Sequence, residues 1–416
     1  MKNLDITEQD KEDIKLSHQY RLKVIPPRQS SFRVVALIYY QLLGEEDDST
    51  DTSTINYVVG TNDEPCYMNG SICAERAALV QLRFLPIQRI TKVVITTDSP
   101  QPIFPGFLCR EFMCSHVNLD PEFVSIITAG SLCCGDGCCG LDISIGGGGS
   151  GSIITTAMKS KNANEEAVLD ENMNSFGNCL GGDGDQGFHK WNTVKTSLIK
   201  LYPHPSPYTR LDARQCAKLG PRLSNKISQI QKQASFALSP EAQNLIVKAT
   251  EAANRGNDRS QLHPIQYAAA VLFEDGTIQT ACQRKCLEYG CSLDAVTQLG
   301  TYMEKERDQA QTQTLEKRND NSVVHVGFSI PILLVQTDQF GVLHAPFATA
   351  RAYLSEFGFG DMKVLISQPC RDKNGITSTK GSAEEGSEEE NNVQILEVTV
   401  RDLAPSAPDM GSLFKE

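Results

Sequence analysis

Apolar positions along this chain come in short runs whose spacing predicts alternating strands and helices. FRVVALIYYQLL (32–43) and YAAAVLFEDGTIQTA (267–281) read as the first hairpin strands of two similar blocks, and KVVITTD (92–98) and SIPILLVQTD (329–338) as later strands. ICAERAALVQL (72–82) and SLDAVTQLGTYM (292–303) carry helical spacing instead. Two further matches make the blocks copies of one another. PGFLCREFM from Pro105 has the same Pro-to-Arg spacing as PFATARAYL from Pro346, and LYPHPSPY from Leu201 parallels LAPSAPDM from Leu403. The last pair follows the β-like runs TVKTSLIK and VQILEVTV. Each half reads in the order β-β-α-β-α-β, the pattern of a three-layer α/β sandwich on one mixed sheet.

Polar, low-complexity stretches interrupt both halves. GEEDDSTDTST (44–54) reads as an acidic hairpin loop, SLCCGDGCCGLDISIGGGGSGS (131–152) opens a Gly-rich insert running to about residue 188, and KGSAEEGSEEENN (380–392) as a solvated acidic insert. KERDQAQTQTLEKRNDN (305–321) is polar but able to extend a helix. The first domain is expected over 15–210 and the second over 240–412, with inserts at about 303–322 and 372–392.

Charge and cysteine content narrow the chemistry. A net charge of −12 over 416 residues argues against a broad phosphate-binding surface, so a nucleic acid polymer is not expected as a partner. The N-terminal MKNLDITEQDKEDIKLSHQYRL has no apolar leader core, and no apolar run reaches membrane-spanning length. A soluble, cytoplasmic protein is expected, with no membrane partner. Fourteen cysteines are too few for a disulfide scaffold in so long a chain, and a patterned subset points to metal binding or catalysis.

That subset centres on NGSICAERAALVQL (69–82). A thiolate at a helix start is favoured by the helix dipole, so Cys73 is suited to hold a cation, with Glu75 two residues on to move protons of a bound water. A second helix start, FPGFLCREF, supplies Cys109. Arg76 follows directly and is placed to balance thiolate charge.

In order and spacing, SFRVVAL, TNDEPCYMNGSICAERAAL and PGFLCREF resemble the motifs of the zinc-dependent cytidine deaminases. The resemblance covers roughly 15–130 and 190–210 in the first half and about 262–412 in the second. It implies a duplicated three-layer α/β/α domain with a mixed five-stranded sheet, and hydrolysis of cytidine or deoxycytidine to the uridine counterpart and ammonia, as in pyrimidine salvage. It also implies Zn2+ as cofactor, Cys73 and Cys109 as ligands, and Glu75 as the catalytic acid and base. Phe32 matches the ring that stacks on the pyrimidine, and Asn62 and Glu64 the groups that bind the ribose 3′-hydroxyl. The two-domain members with a degenerate second half imply a homodimer. Where the family has Pro-Cys-x-x-Cys, this chain has Gly106 in place of the first cysteine, and a thiolate from Cys133, Cys134, Cys138 or Cys139 is the candidate substitute. In the second half Ser292-Leu293-Asp294 is set against Cys73-Ala74-Glu75, Gln283 against Glu64, and Phe347 and Ala350 against Gly106 and Cys109, so a structural role is expected there. The alternative is a catalytically inactive relative acting as a binding or assembly partner.

Overall fold

The computed structural model describes residues 4–44, 56–130, 192–232, 238–255, 263–316, 330–369 and 393–406. The acidic 45–54 stretch, the CCGDGCC cluster and the 380–392 insert lie outside the described residues. By contact, the described residues group into two compact units, one from 4–104 and 123–196 and one from 105–122 and 197–406.

The first half runs α1 (Glu8–Lys23), β1 (Val34–Leu42), β2 (Asn56–Thr61), α2 (Ala74–Gln81), β3 (Ile87–Thr97), α3 (Phe107–Ser115), β4 (Ser125–Ala129) and β5 (Thr193–Ser197). Its five-stranded sheet has the order β2-β1-β3-β4-β5, with β1 antiparallel to β2 and β3, and β3 parallel to β4. β1 is an almost unbroken apolar run because both of its faces are covered. Val35, Leu37 and Tyr39 pack with Val94, Ile127 and the Ile14 side chain of α1. Ala36, on the alternate face, pairs with Gly60 of β2, and Gly60 lies against α2. Helices therefore cover both faces.

Gly60 is where the sheet and α2 come closest. A Cβ at this position would lie 2.5 Å from Ala78 N and 2.9 Å from Ala78 Cβ, with the Ala74 carbonyl nearer still. Only glycine admits that approach. Gly60→Ala is expected to push α2 off the sheet and cost at least about 1–3 kcal/mol, read as a melting temperature several degrees lower; an unchanged melt would mean the contact is not tight in solution.

The rest of the chain forms α4 (Leu198–Leu201), α5 (Ala213–Gln231), α6 (Pro240–Arg255), β6 (Tyr267–Phe273), β7 (Ile278–Cys282), α7 (Ala295–Glu316), β8 (Pro331–Asp338), β9 (Leu343–His344), α8 (Ala348–Glu356), β10 (Lys363–Pro369), β11 (Val393–Thr399) and α9 (Val400–Leu403). The sheet order β11-β10-β8-β6-β7 repeats that of the first half, including a parallel pair, here β8 with β10. Alternate strand residues again face opposite cores: Ala270, Leu272 and Val335 pack with α5 and α6, and Ala269, Val271 and Leu334 with α7 and α8.

Three details depart from the sequence expectation. Each half has an extra strand before the last one, β4 or β10, so the order is β-β-α-β-α-β-β. The second sheet gains a sixth strand, the short β9, paired with β8. Helices α1, α5 and α6 also carried no expectation. The polar 305–321 stretch does extend a helix, α7 continuing to Glu316.

The repeated Pro-to-Arg spacing has a structural reason. Arg110 is fully buried; its Nε donates to Pro105 O at 2.7 Å, Nη1 to Leu201 O and Pro405 O at 2.8 Å, and Nη2 to Ser406 O at 2.7 Å. Arg351 repeats this, donating to Pro346 O, Leu403 O, Pro203 O and His204 O. His204 and Ser406, at matching places in the two turns, both have φ of 52°. Each arginine thus binds the backbone turn of its own half and that of the other, and this satisfies its donors in a dry interior.

Candidate metal centre

Cys73 is the N-cap of α2, in extended conformation with φ −79° and ψ 154°, and Glu75 lies in the first helical turn. The Glu75 side chain is 4% exposed, whereas Cys73 is half-buried. A buried carboxylate is tolerated in this turn because the first N–H groups of a helix carry positive partial charge. Arg76 reaches back over the cap, its Nη2 donating to Ser71 O at 3.1 Å and to Cys73 Sγ at 3.8 Å.

Cys109 is the third residue of α3 and is fully buried. The Sγ atoms of Cys73 and Cys109 and a carboxylate oxygen of Glu75 all lie within 4.8 Å of one another. Among the described residues this is the one group of three or more His, Cys, Asp or Glu side chains close enough to share a metal ion. Two thiolates and a carboxylate are donors that zinc accepts, so the residues present fit that ion. Gly106, the N-cap of α3, has φ −62° and ψ 161°, and a Cβ there would meet nothing within 4 Å. Nearby thiols do not join the group. Cys114 is a core thiol whose pKa burial pushes up to about 12, and Cys66 is exposed.

Phe32, Asn62 and Glu64 form a second assembly that holds itself together. Asn62 Nδ2 donates to Phe32 O at 2.8 Å, while Asn62 Oδ1 accepts from Val34 N at 2.9 Å. Glu64 accepts from Ser30 N and Ser30 Oγ, both at 2.9 Å, and Asn62 Nδ2 lies 3.4 Å from its Oε1. These bonds fix the segment that enters β1 and with it the half-buried Phe32 ring.

The second half needs a correction of two residues. Val35 pairs with Thr61 and Ala268 with Cys282, and the bridges Asp63–Ile72 and Arg284–Leu293 follow at the same distance. Asp294, not Ser292, therefore stands where Cys73 stands, and Val296, not Asp294, stands in the place of Glu75. Gln283 matches Asn62, and Lys285 matches Glu64. Matching acid to acid in the sequence caused the slip; strand register decides it. Val296 is a fully buried core residue. Asp294 caps α7, its Oδ1 accepting from Thr297 N at 2.9 Å, and burial raises its pKa. Lys285 is buried with Nζ donating to His263 O at 2.5 Å, and desolvation lowers its pKa. Phe347, in the place of Gly106, packs edge-on against Tyr267 at 4.9 Å, and Tyr267 in turn against His344 at 5.2 Å. Rings occupy the region where a site would lie.

Asp294→Ala is expected to cost about 0.5–2 kcal/mol of stability through the lost cap while leaving any activity of the folded protein within about threefold of the parent. Calorimetry beside a rate assay checks both; a large rate loss in folded protein would return a chemical role to this half.

No family model matches the chain, and no curated protein matches it. Among solved structures it is similar to the cytidine deaminase from Burkholderia pseudomallei, at 19% identity over 30% of this chain and 87% of that one, with a TM-score of 0.24. It is also similar to the cytidine deaminase from Mycobacterium tuberculosis, at 20% identity over 31% and 85% with a TM-score of 0.23. The enzyme from Mycobacterium leprae aligns at 18% identity over 31% and 89%, with a TM-score of 0.21. Among the described residues, no helix is long and apolar enough to cross a membrane.

Proposed function

We propose that this chain is a hydrolytic deaminase of free cytidine or deoxycytidine, consuming one water and releasing ammonia and the uridine counterpart. The observation that carries the reading is the buried Glu75 carboxylate grouped with the thiols of Cys73 and Cys109. Cys73 and Cys109 would hold Zn2+, which when bound supplies acidity to the attacking water. Glu75 takes that water's proton and delivers protons to N3 of the ring and then to the leaving nitrogen. One carboxylate serves both transfers because no solvent competes in so buried a position. Arg76, beside Cys73 Sγ, offsets thiolate charge that would otherwise weaken deprotonation of the water.

Phe32 stacks on the pyrimidine in this reading, with Asn62 and Glu64 facing the ribose. A carboxylate at the 3′-oxygen repels a 3′-phosphate, which favours a nucleoside over a polynucleotide, as does the net charge of −12. The assembly proposed is a homodimer, checked by the mass of the protein in solution. Gly106 favours a second reading, a non-catalytic binding or assembly partner, because glycine contributes no donor. Zinc content of the purified protein, measured beside ammonia release from cytidine and deoxycytidine, decides between the two. Near-stoichiometric zinc with turnover is expected; absence of both overturns the enzyme reading.

A further inference from the structure

The turn leading into α7 carries two cysteines that the proposed chemistry does not use. We propose that Cys286 and Cys291 are a redox-active thiol pair that a hydroperoxide converts to an intrachain disulfide.

The turn is closed at its base by the Arg284–Leu293 bridge and internally by Cys291 N donating to Glu288 O at 2.9 Å and Cys286 N to Ser292 Oγ at 3.0 Å. Inside it, Cys286 Sγ lies 3.2 Å from the carbonyl oxygen of Cys291. The matching turn of the first half gives an independent measure of the separation. It has the same bridge, Asp63–Ile72, and the same single turn of 3-10 helix, Met68–Gly70 against Tyr289–Cys291. Pro65 and Gly70 occupy there the places of Cys286 and Cys291. A Cβ at Gly70 would lie 3.0 Å from Pro65 Cγ. In a disulfide each sulfur, itself a γ atom, sits about 3 Å from the partner Cβ, a distance set by the S–S and C–S bonds. The backbone of this turn therefore brings its second and seventh positions within disulfide reach, and rotation of the Cys286 side chain off the Cys291 carbonyl oxygen aligns the sulfurs.

Access and surroundings agree. Cys291 is exposed and Cys286 half-buried, so a small oxidant reaches the pair. Among the described residues, the group close enough to share a metal ion does not include them. Glu288 beside Cys291 raises its pKa and disfavours its thiolate, so the oxidation runs faster as the pH rises.

In the first step one thiolate attacks the peroxide, whose O–O bond breaks; the sulfur becomes a sulfenic acid and the second peroxide oxygen leaves as water or an alcohol. In the second step the other thiolate attacks the sulfenic sulfur, the S–S bond forms, and hydroxide departs and is protonated to water. Two thiols lose two electrons and two protons, and the peroxide is reduced by two electrons.

The test uses the full, folded chain, reduced and then exposed to stoichiometric hydrogen peroxide, alkylated and digested with trypsin. Cleavage after Lys285 and Lys305 places both cysteines in one peptide. The expected result is that peptide unalkylated and lighter by about 2 Da, restored to the doubly alkylated form by dithiothreitol, while Cys282 on the adjacent strand remains alkylated. C286S and C291S remove the linkage, and one of them accumulates a dimedone-trapped sulfenic acid absent from the parent. A parent protein in which both thiols alkylate normally, or pass to sulfinic acids without linking, overturns the proposal. Neither outcome depends on whether the deaminase reading holds.

Discussion

Replacing Glu75 by glutamine is expected to reduce ammonia release from cytidine by about 10⁴-fold while zinc content and melting temperature stay close to those of the parent. The amide is nearly the size of the carboxylate, so the interior position at 4% exposure is refilled without a void. What disappears is the ability to accept and return a proton, and the same group serves both transfers. Steady-state assay, metal analysis and calorimetry on one preparation check all three quantities. Near-normal turnover would overturn the mechanism. Joint loss of zinc and activity would instead make Glu75 a ligand filling the place of the missing thiolate, an outcome its membership of the 4.8 Å group makes measurable.

Gly106→Cys is expected to raise zinc retention by orders of magnitude. The backbone there is already one that any residue adopts, with φ −62°, and the new Cβ meets nothing within 4 Å, so α3 keeps its start and gains a thiolate beside Cys109. A third thiolate completes the usual three-ligand catalytic set, and binding gains a full donor on a preformed helix end. If a thiolate from Cys133, Cys134, Cys138 or Cys139 already fills the position, Gly106→Cys changes little and deletion of 131–140 releases the metal. Dialysis against a chelator followed by metal analysis of parent, variant and deletion separates the two.

The central strands β1, β6 and β8 were legible because each carries an apolar run buried on both faces, and the duplication because it repeats turn residues at fixed spacing. The α1 helix was not, for a physical reason: the face it buries carries Asp10, Asp13, Ser17 and Arg21. Those groups are satisfied by Lys92, Lys195, Tyr39, Thr96 and Asp98, all distant in the sequence. Its local signals are the Thr7–Asp10 capping box and the acidic first and basic last turns. The spacing of Arg110 and Arg351 was visible without their purpose, since backbone carbonyls in remote turns leave no side-chain signature. Cys73, Glu75 and Cys109 were legible through motif spacing; the two-residue register shift of the second half was not, because the side chains there differ from those of the first half while the strand pairing is the same.

The packed rings of Tyr267, His344 and Phe347 set a barrier between the second half and any metal site. A cysteine at position 347 would empty the space of a phenyl ring, a change that costs up to about 3–5 kcal/mol where the ring is well buried, and would yield one isolated thiol. An acid at position 296 would place a charge in an aliphatic core with no ion to meet it. Each single step toward a metal site therefore costs stability before the combination that would reward it can assemble. The barrier is local: the second half can alter its surface and loops freely, but no single substitution carries it to a metal site.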